Sequence, residues 1–310
     1  MSFKFIVTRD HDGRRLDRTI RSIWPALPLS AIMKALRKGE VRLDAVRTRQ
    51  PDARVHMGQE LYVPWEEPGT GQRVKNWGTV PVIWKGEKAL LVNKPADLLV
   101  QPDTKGGDSV ITRVWGMVGT GGIGFSPAAV HRLDRNTTGV LIVALSGDAL
   151  RDLELLFKER RVSKRYLAVV AGLLPERGSI DAPLEKDAAN NVVKVCEGGM
   201  AAHTRFRRLA GDKDLSLASI ELLTGRTHQA RVHMAHVGHP ILGDRKYGDI
   251  ETNRHWKRVA KRPLLHAFEL GFPDALPDSL RELAGKTFRA DIPQDIRAIA
   301  EFRSWPTDID

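Results

Sequence analysis

Hydrophobic positions recur at helical spacing soon after a strand-like start at the N-terminus. Leu16, Ile20 and Ile23 fall on one face of a helix. Pro25 and Pro28 are expected to end this helix, because proline lacks the amide hydrogen that a helix interior needs. The pattern therefore predicts a short helix before residue 25.

A second helix is predicted directly after these prolines. Ser30 can cap its start, and Ile32, Met33 and Leu36 share one face. Gly39 predicts its end, since glycine readily adopts the left-handed conformation found after helices. Two short strands are then expected, at residues 41–43 and 61–63.

Beyond residue 80, strand-like stretches alternate irregularly with helical ones. Residues 148–160 carry apolar side chains at helical spacing, and four β-branched stretches predict strands at 90–92, 140–143, 166–170 and 217–222. Because these elements do not follow regular strand–helix–strand crossovers, we expect an α+β domain on a mixed, mostly antiparallel sheet. Residues 66–79 are polar and rich in glycine and proline, so they predict a linker between a domain at 1–70 and one at 71–310.

The composition of the 310-residue chain is that of a folded protein with one large and one small domain. Its one cysteine, Cys196, excludes a disulfide framework and a cysteine-based zinc cluster. Charged residues interrupt the N-terminal segment before a signal peptide could form, and no apolar run approaches the roughly 20 residues of a membrane helix. We therefore expect a soluble, cytoplasmic protein that does not enter a membrane.

The charge of the chain favours a polyanionic partner. It has 49 Lys and Arg against 38 Asp and Glu, a net charge of +11. Residues 1–65 hold 13 basic and 7 acidic residues, so +6 of that excess lies in a fifth of the chain. A solvated basic surface is the alternative, but the concentration of charge predicts RNA contacts through Arg15, Arg18, Lys34, Arg37, Lys38 and Arg42.

Two other clusters imitate ligand sites. Residues 119–124 satisfy the G-x-G-x-x-G pattern, but a helix is predicted before them, whereas a dinucleotide site needs a strand there. Four histidines lack the spacing of a zinc site: His228, His233, His236 and His239. We predict neither a nucleotide site nor a metal site from these residues.

Three polar segments carry the candidate chemistry. Asp134 lies between Arg132 and Arg135 in a turn that leads into an apolar strand, where it could equally be an ordinary ion-pair partner. Arg226 follows Gly225 in a turn and is expected to point at an anion. In that second segment Thr227 could cap the helix that follows.

The third segment places Tyr166 at the start of a strand, behind two basic residues. An acid, a fixed arginine and an aromatic plate together would suit a splayed-out RNA base beside its ribose. The three segments therefore predict one site for a flipped nucleotide.

These segments are similar to the motifs of the RluA family of pseudouridine synthases, and the N-terminal region resembles an S4 RNA-binding domain. The matching stretches are, in order, Lys38–Leu43, Val92–Ala96, His131–Asp134 with Thr137–Gly139, Lys164–Ala168, Thr224–Gln229, Gly238–Asp244, Tyr247–Gly248 and Leu265–Ala267. The chain departs from the family pattern at Asp97, Gln101, Asn136 and Ala230. Residues 38–42 and 135–138 look most like the branch that acts on large-subunit ribosomal RNA.

The resemblance implies a pseudouridine synthase fold and the isomerisation of uridine to pseudouridine, with 23S ribosomal RNA as the expected partner. It implies that Asp134, Arg226 and Tyr166 are catalytic, with Arg226 pairing with Asp134 and Tyr166 stacking on the uracil. Arg132 would fill the gap left by the flipped nucleotide. The substrate-binding residues that it implies are Arg132, Leu265, His131 and Thr138.

Several alternatives stay open at this point. Asp134 could attack C1′ as a nucleophile or remove the C2′ proton as a base. Transfer RNA is the main alternative substrate, and an inactive RNA-binding adaptor or a uracil-removing glycosylase are alternative functions. Because the isomerisation oxidises nothing and releases no group, we expect no cofactor and no metal, and most relatives suggest a monomer.

Overall fold

The computed structural model describes residues 3–24, 27–66, 77–102, 107–119, 125–187, 190 and 192–307. Pro25, most of the predicted linker and residues 120–124 of the glycine-rich loop lie outside the described residues. Within the described part, no helix has the length and apolar character that crossing a membrane requires.

The N-terminal region folds into two helices against a small sheet. Its elements are β1 (Phe3–Ile6), α1 (Leu16–Ile23), α2 (Leu29–Lys38), β2 (Arg42–Leu43), β3 (Val46–Arg47) and β4 (Glu60–Val63). The strands pair antiparallel in the order β1-β4-β2-β3. The predicted helical faces are buried in the core between them, where Leu16, Ile20, Ile32, Leu36 and Leu61 have no exposed surface.

The ends of α2 agree only in part with the prediction. Gly39 closes the helix with φ of 68°, as expected for a left-handed residue at that position. The predicted cap at Ser30 is wrong, because Pro28 occupies the capping position and Ser30 lies inside the first turn. Proline has no side-chain acceptor for the amides of the first turn, so no side-chain cap is formed.

The remaining described residues form the larger part of the molecule. Its strands are β5 (Val82–Lys85), β6 (Ala89–Lys94), β7 (Ala128–Ala129), β8 (Thr138–Ala144), β9 (Ser163–Ala171), β10 (Arg177–Asp181), β11 (Leu184–Asp187), β12 (Val192–Val195), β13 (His203–Gly211), β14 (Leu215–Leu222), β15 (Leu265–Gly271) and β16 (Thr287–Arg289). Its helices are α3 (Val110–Val118), α4 (Gly147–Lys158), α5 (Gln229–His236), α6 (Ile250–His255) and α7 (Gln294–Phe302). Each of the four predicted strands lies within one of these strands, which confirms those predictions. The predicted helix at 148–160 is confirmed as α4, but α4 ends two residues earlier, at Lys158.

One large sheet organises this part. Its strands follow the order β10-β13-β14-β9-β15-β8-β6-β5, with β16 paired to β15 and β7 to β8. All of these pairs are antiparallel except β15 with β8, so the predicted mixed, mostly antiparallel sheet of an α+β fold is confirmed. The alternating residues of β6 and β8 enter two separate apolar clusters, one on each face of the sheet. Both faces of the sheet centre are therefore buried.

The parallel pair is the closest approach between strands near the predicted site. Gly139 in β8 lies opposite Ala267 in β15, with φ of 114°. A Cβ atom at Gly139 would overlap the backbone carbonyl of Ala267. Only glycine therefore fits at this position, five residues after Asp134.

We expect Gly139→Ala to lower the free energy of unfolding by at least about 2 kcal/mol, through backbone strain and overpacking. Denaturant unfolding followed by circular dichroism measures this change. Gly116→Ala is the matched control, because Gly116 lies in α3 with ordinary backbone angles and open space around it. That control should be neutral or slightly stabilising, and an equal effect of both changes would contradict the close approach of β8 and β15.

Candidate active site

A buried lysine holds the turn that carries Asp134. Lys94 has no exposed surface, and its Nζ donates to the carbonyl oxygens of Pro95 (2.9 Å), Arg135 (2.8 Å) and Thr137 (2.9 Å). Burial, helped by nearby cations, lowers the pKa of Lys94 to about 7. The three carbonyl acceptors match the three donors of an ammonium group, so the lysine fixes the course of the turn.

A second buried cation reaches the same turn. Arg262 is 8% exposed, and its Nη1 donates to the carbonyl oxygens of Asn136 (3.0 Å) and Leu265 (3.1 Å). Its Nε and Nη2 bind both carboxylate oxygens of Asp295 at 2.7 and 2.8 Å. Arg262 therefore ties the turn after Asp134 to the start of β15.

Asp134 shares an arginine with a second carboxylate. Arg231 Nη1 donates to Asp134 Oδ2 at 3.1 Å, while its Nε and Nη2 bind the Oδ2 and Oδ1 atoms of Asp244 at 2.7 and 2.9 Å. Burial opposes the charge of this arginine, but its bond to Asp244 and the charges of both carboxylates raise its pKa overall. The ring of Tyr247 lies under the guanidinium, 5.1 Å from its carbon.

The predicted partner of Asp134 was a different arginine. Arg226 lies in the turn before α5, where its Nε donates to the Ala201 carbonyl oxygen at 3.0 Å. It makes no ion pair with Asp134 among the described residues, and the predicted Arg226–Asp134 contact is corrected to Arg231–Asp134. Arg226 nevertheless lines the same cavity as Asp134.

His228 is a site residue that the sequence interpretation missed. It occupies the capping position of α5 with φ of 54°, where Thr227 had been expected, and no side chain caps this helix. Its Nε2 lies 3.7 Å from Asp134 Oδ2. His228 and Arg231 are three residues apart, one helical turn, and this spacing is the sequence signal that could have placed both beside the carboxylate.

Hydrogen bonds on the other side of the ring fix the proton of His228. The backbone amide of Val193 donates to Tyr247 Oη at 2.9 Å, and His228 Nδ1 lies 2.8 Å from the same oxygen. The negative charge of Asp134 beside Nε2 favours a ring hydrogen on that atom, which leaves Nδ1 as the acceptor for the Tyr247 hydroxyl. The neutral ring then carries its hydrogen on Nε2, the atom that faces Asp134. Burial lowers the pKa of His228 and favours this neutral form.

A small cavity opens beside Asp134, lined by both polar and apolar side chains. Its volume is about 60 Å³, and its wall includes Tyr166 and Leu265, which are 8% and 4% exposed. They lie on the neighbouring strands β9 and β15. Burial and the charge of Asp134 both raise the pKa of Tyr166, so its phenol stays neutral. The predicted acid and aromatic plate are therefore brought together at one cavity.

Comparisons with known proteins identify the family. A model of the RNA pseudouridylate synthase family matches residues 88–236. The ribosomal large subunit pseudouridine synthase D of Zymomonas mobilis is 30% identical over 94% of this chain and 95% of its own length. The ribosomal large subunit pseudouridine synthase C of Escherichia coli is 33% identical over 86% of this chain and 87% of its own. The chain belongs to the RNA pseudouridylate synthase family.

A solved structure supports the fold of this synthase. The human RNA pseudouridylate synthase domain containing 4 covers 72% of this chain and 93% of its own, with a TM-score of 0.57 and 24% identity. With the family established, the protein is an isomerase that converts uridine to pseudouridine, and the predicted resemblance is confirmed.

The cavity of this synthase opens into a wider basic cleft of about 510 Å³. Its rim includes Arg132, Lys158, Arg160 and Lys164. The Arg132 side chain is exposed and makes no hydrogen bond or ion pair within the described parts of the chain. It is therefore free to contact a ligand that enters the cleft.

Two predicted substrate-binding residues are engaged inside the protein. His131 stacks on Phe157 with ring centres 4.8 Å apart, its Nε2 accepts the Ile142 amide at 3.3 Å, and burial lowers its pKa to about 3. Thr138 is 6% exposed and its hydroxyl lies 2.8 Å from Nδ1 of His266. His131 still borders the cleft, but Thr137 rather than Thr138 lines the cavity beside Asp134.

The predicted RNA-binding residues of the N-terminal region differ in their exposure to solvent. Five of them are exposed, namely Arg18, Lys34, Arg37, Lys38 and Arg42. The sixth, Arg15, is half-buried and binds the Asp17 carboxylate at 3.1 and 3.0 Å. Five side chains can therefore reach a polyanion, while Arg15 must first leave its carboxylate.

The histidine cluster is used for internal hydrogen bonds. His233 is buried and contacts the Thr204 hydroxyl at 2.8 Å and the Ala182 carbonyl at 2.9 Å. His239 contacts the Ala171 carbonyl at 2.9 Å. Over the described ranges, no group of three or more His, Cys, Asp or Glu is arranged to hold a metal ion.

We expect Arg231→Met to slow single-turnover pseudouridine formation at least about 100-fold, because it leaves two carboxylates without their shared cation. Arg226→Met is the matched control, since it removes the same charge from the same cavity. It should slow the reaction less than Arg231→Met. The reverse order would contradict the corrected pairing of Asp134.

A second expectation concerns the donor at Nε2 of His228. The amide nitrogen of a glutamine side chain can occupy the position of Nε2. The side chain of asparagine is one carbon shorter, so its amide nitrogen can occupy only the position of Nδ1. We therefore expect His228→Gln to keep the single-turnover rate within about threefold of wild type, and His228→Asn to lose about tenfold, because it removes the donor that faces the Asp134 carboxylate. Equal rates in the two variants would show that the donor has no part in catalysis.

Proposed function

We propose that this synthase isomerises uridine to pseudouridine in 23S ribosomal RNA, with Asp134 as the catalytic carboxylate. The observation that carries the proposal is the position of Asp134, held by Arg231 on the wall of a cavity that Tyr166 and Leu265 also line. The names of the large-subunit relatives support ribosomal RNA as the substrate over transfer RNA.

The reaction breaks the N1–C1′ bond of uridine, rotates the uracil and joins C5 to C1′. The hydrogen of C5 leaves as a proton and N1 gains one, so no atoms are added or lost overall. Asp134 can assist in either of two ways, by attacking C1′ as a nucleophile or by removing the C2′ proton as a base. Both ways use a carboxylate held in place, and Arg231 holds it with a hydrogen bond of 3.1 Å to Oδ2.

The other cavity residues position the base. The neutral ring of Tyr166 stacks on the uracil, and Leu265 contacts its edge, so both exclude water from the bond that breaks. Arg132 fills the gap that the flipped nucleotide leaves in its helix and offsets a cost of a few kcal/mol for unstacking. Arg226, turned to the same cavity, contacts the phosphate or ribose of the target nucleotide.

The N-terminal domain, residues 1–70 in our prediction, binds structured RNA near the target in the manner of an S4 domain. Two helices on a small sheet and five exposed basic side chains support this role. The catalytic domain comprises residues 71–310. We propose that the protein acts as a monomer in the cytoplasm.

We expect Asp134→Asn to reduce pseudouridine formation at least about a thousand-fold, because an amide is neither nucleophile nor base, while RNA binding persists. Single-turnover assays on 23S ribosomal RNA and a filter-binding measurement test the two parts. The control is Asp97→Asn, which removes an exposed carboxylate 3.5 Å from Arg135. Residual turnover in Asp134→Asn would contradict the assignment, and release of free uracil by the wild type would indicate a glycosylase.

The substrate is tested in cells. Pseudouridines mapped in cellular RNA with and without the gene should differ at one or more positions of 23S ribosomal RNA. Restoration by the wild type but not by Asp134→Asn links the loss to this site. A loss confined to transfer RNA would overturn the proposed substrate and leave the chemistry intact.

A further inference from the structure

The N-terminal domain contacts the catalytic domain at the first turn of α4. Asp10 Oδ1 accepts the amide of Gly147, the first residue of that helix, at 2.7 Å. Arg151 donates through Nη1 to the Asp10 carbonyl at 3.2 Å and through Nη2 to the Arg9 carbonyl at 3.3 Å. Arg9 also lies 3.6 Å from Asp148. We call this set of contacts the junction.

The two backbones at the junction approach so closely that no side chain fits between them. A Cβ atom at Gly147 would overlap the backbone of Asp10. Asp10 gives one carboxylate oxygen to the helix amide, and it forms no ion pair with Arg14 within the described residues. The junction therefore fixes the N-terminal domain on α4, and it provides no carboxylate partner for the nearby Arg14.

Arg14 lies beside the junction and has no carboxylate partner within the described residues. Its backbone is fixed by hydrogen bonds with His11 (3.0 Å) and Val55 (2.9 Å), and its side chain is partly buried. Within the described residues its guanidinium makes no hydrogen bond and no ion pair. The bonds of Arg151 to the carbonyls of Arg9 and Asp10, and of the Arg14 amide to the carbonyl of His11, place both arginines at the junction. In agreement with this placement, burial and the charges of Arg151 and Arg18 lower the pKa of Arg14.

Such a group is costly without an anion. A partly buried guanidinium loses part of its hydration, and two neighbouring cations add repulsion. The charges of Asp10 and Glu154 offset part of this repulsion, but neither acid forms an ion pair with Arg14 within the described residues. A phosphate group would accept hydrogen bonds from the free guanidinium and relieve the repulsion at once.

We infer that the junction is a phosphate-binding site for RNA, formed by Arg14 and Arg18 of the N-terminal domain together with Arg151 of the catalytic domain. The inference rests on the proposed function, which supplies RNA as the polyanion. Because the site uses both domains, it binds RNA only while they are docked.

Helix α4 connects the junction to the catalytic cleft. Helix α4 begins at the junction, and its last residues, Phe157 and Lys158, border the catalytic cleft. Twelve residues of helix span about 18 Å. RNA held at the junction is therefore kept at a fixed distance from the nucleotide that enters the cavity, which contributes to the choice of target.

Arg14→Gln gives the sharpest test, because its guanidinium makes no bond inside the protein. We expect this change to weaken binding of a 23S ribosomal RNA fragment by three- to tenfold and to reduce the salt dependence of log Kd by about one phosphate contact. The single-turnover rate at saturating RNA should not change. The melting temperature should stay the same or rise, since a repelling cation is removed.

Two further variants complete the experiment. Arg151→Gln should weaken RNA binding to a similar extent, and Arg258→Gln, which removes an exposed charge from the groove beside Trp256, should leave it unchanged. Wild-type affinity in both Arg14→Gln and Arg151→Gln, or an equal loss in Arg258→Gln, would overturn the junction site. If the wild type formed no pseudouridine in this RNA, the proposed function would fail instead, so the two failures are distinguishable.

Discussion

The active site depends on one arginine that is shared by two carboxylates. Arg231 binds Asp244 with two hydrogen bonds and Asp134 with one, so its position is set mainly by Asp244 and its remaining donor is presented to Asp134. Asp244 has no exposed surface and would be an unpaired buried charge without the arginine. The pair thus stabilises the loop after α5 and orients the donor for the Asp134 carboxylate at the same time.

The sheet supplies the framework for this contact. The turn with Asp134 leads into β8, Tyr166 lies on β9, and β15 passes between these strands with Leu265 at its start. The parallel pairing of β15 with β8 brings the backbones together at Gly139, and Lys94 and Arg262 hold the carbonyls of the turn. The carboxylate therefore rests on a rigid support, and its neighbours come from distant parts of the chain.

The sequence allowed the acid and the aromatic residue to be predicted, but not the arginine. Asp134 and Tyr166 stand in short segments where one polar or aromatic side chain is distinctive. Arg226 and Arg231 lie five residues apart in one segment, and only the start of α5 at Gln229 determines which of them faces Asp134. That start depends on the left-handed conformation of His228, a non-glycine residue whose backbone strain no propensity would predict.

The two helix caps predicted at Ser30 and Thr227 were wrong for a similar reason. Ser30 and Thr227 are suitable capping residues by type, but Pro28 and His228 occupy the capping positions because tertiary contacts set the helix starts. Strand positions were easier to predict, since the buried strands of the sheet centre are long apolar runs. The S4-like identity of the N-terminal domain and its boundary stay predictions, because a short basic helical pattern fits several small folds.

The uneven sharing of Arg231 has a chemical consequence. A carboxylate bound by two hydrogen bonds to one arginine would be strongly stabilised as an anion and correspondingly weak as a nucleophile or base. Asp134 receives a single bond on Oδ2, the oxygen that His228 Nε2 also approaches, and its Oδ1 has no hydrogen bond within the described residues. One oxygen is thus anchored while the other can reach the ribose. By giving its two-point contact to Asp244, Arg231 keeps Asp134 in place without saturating both of its oxygens.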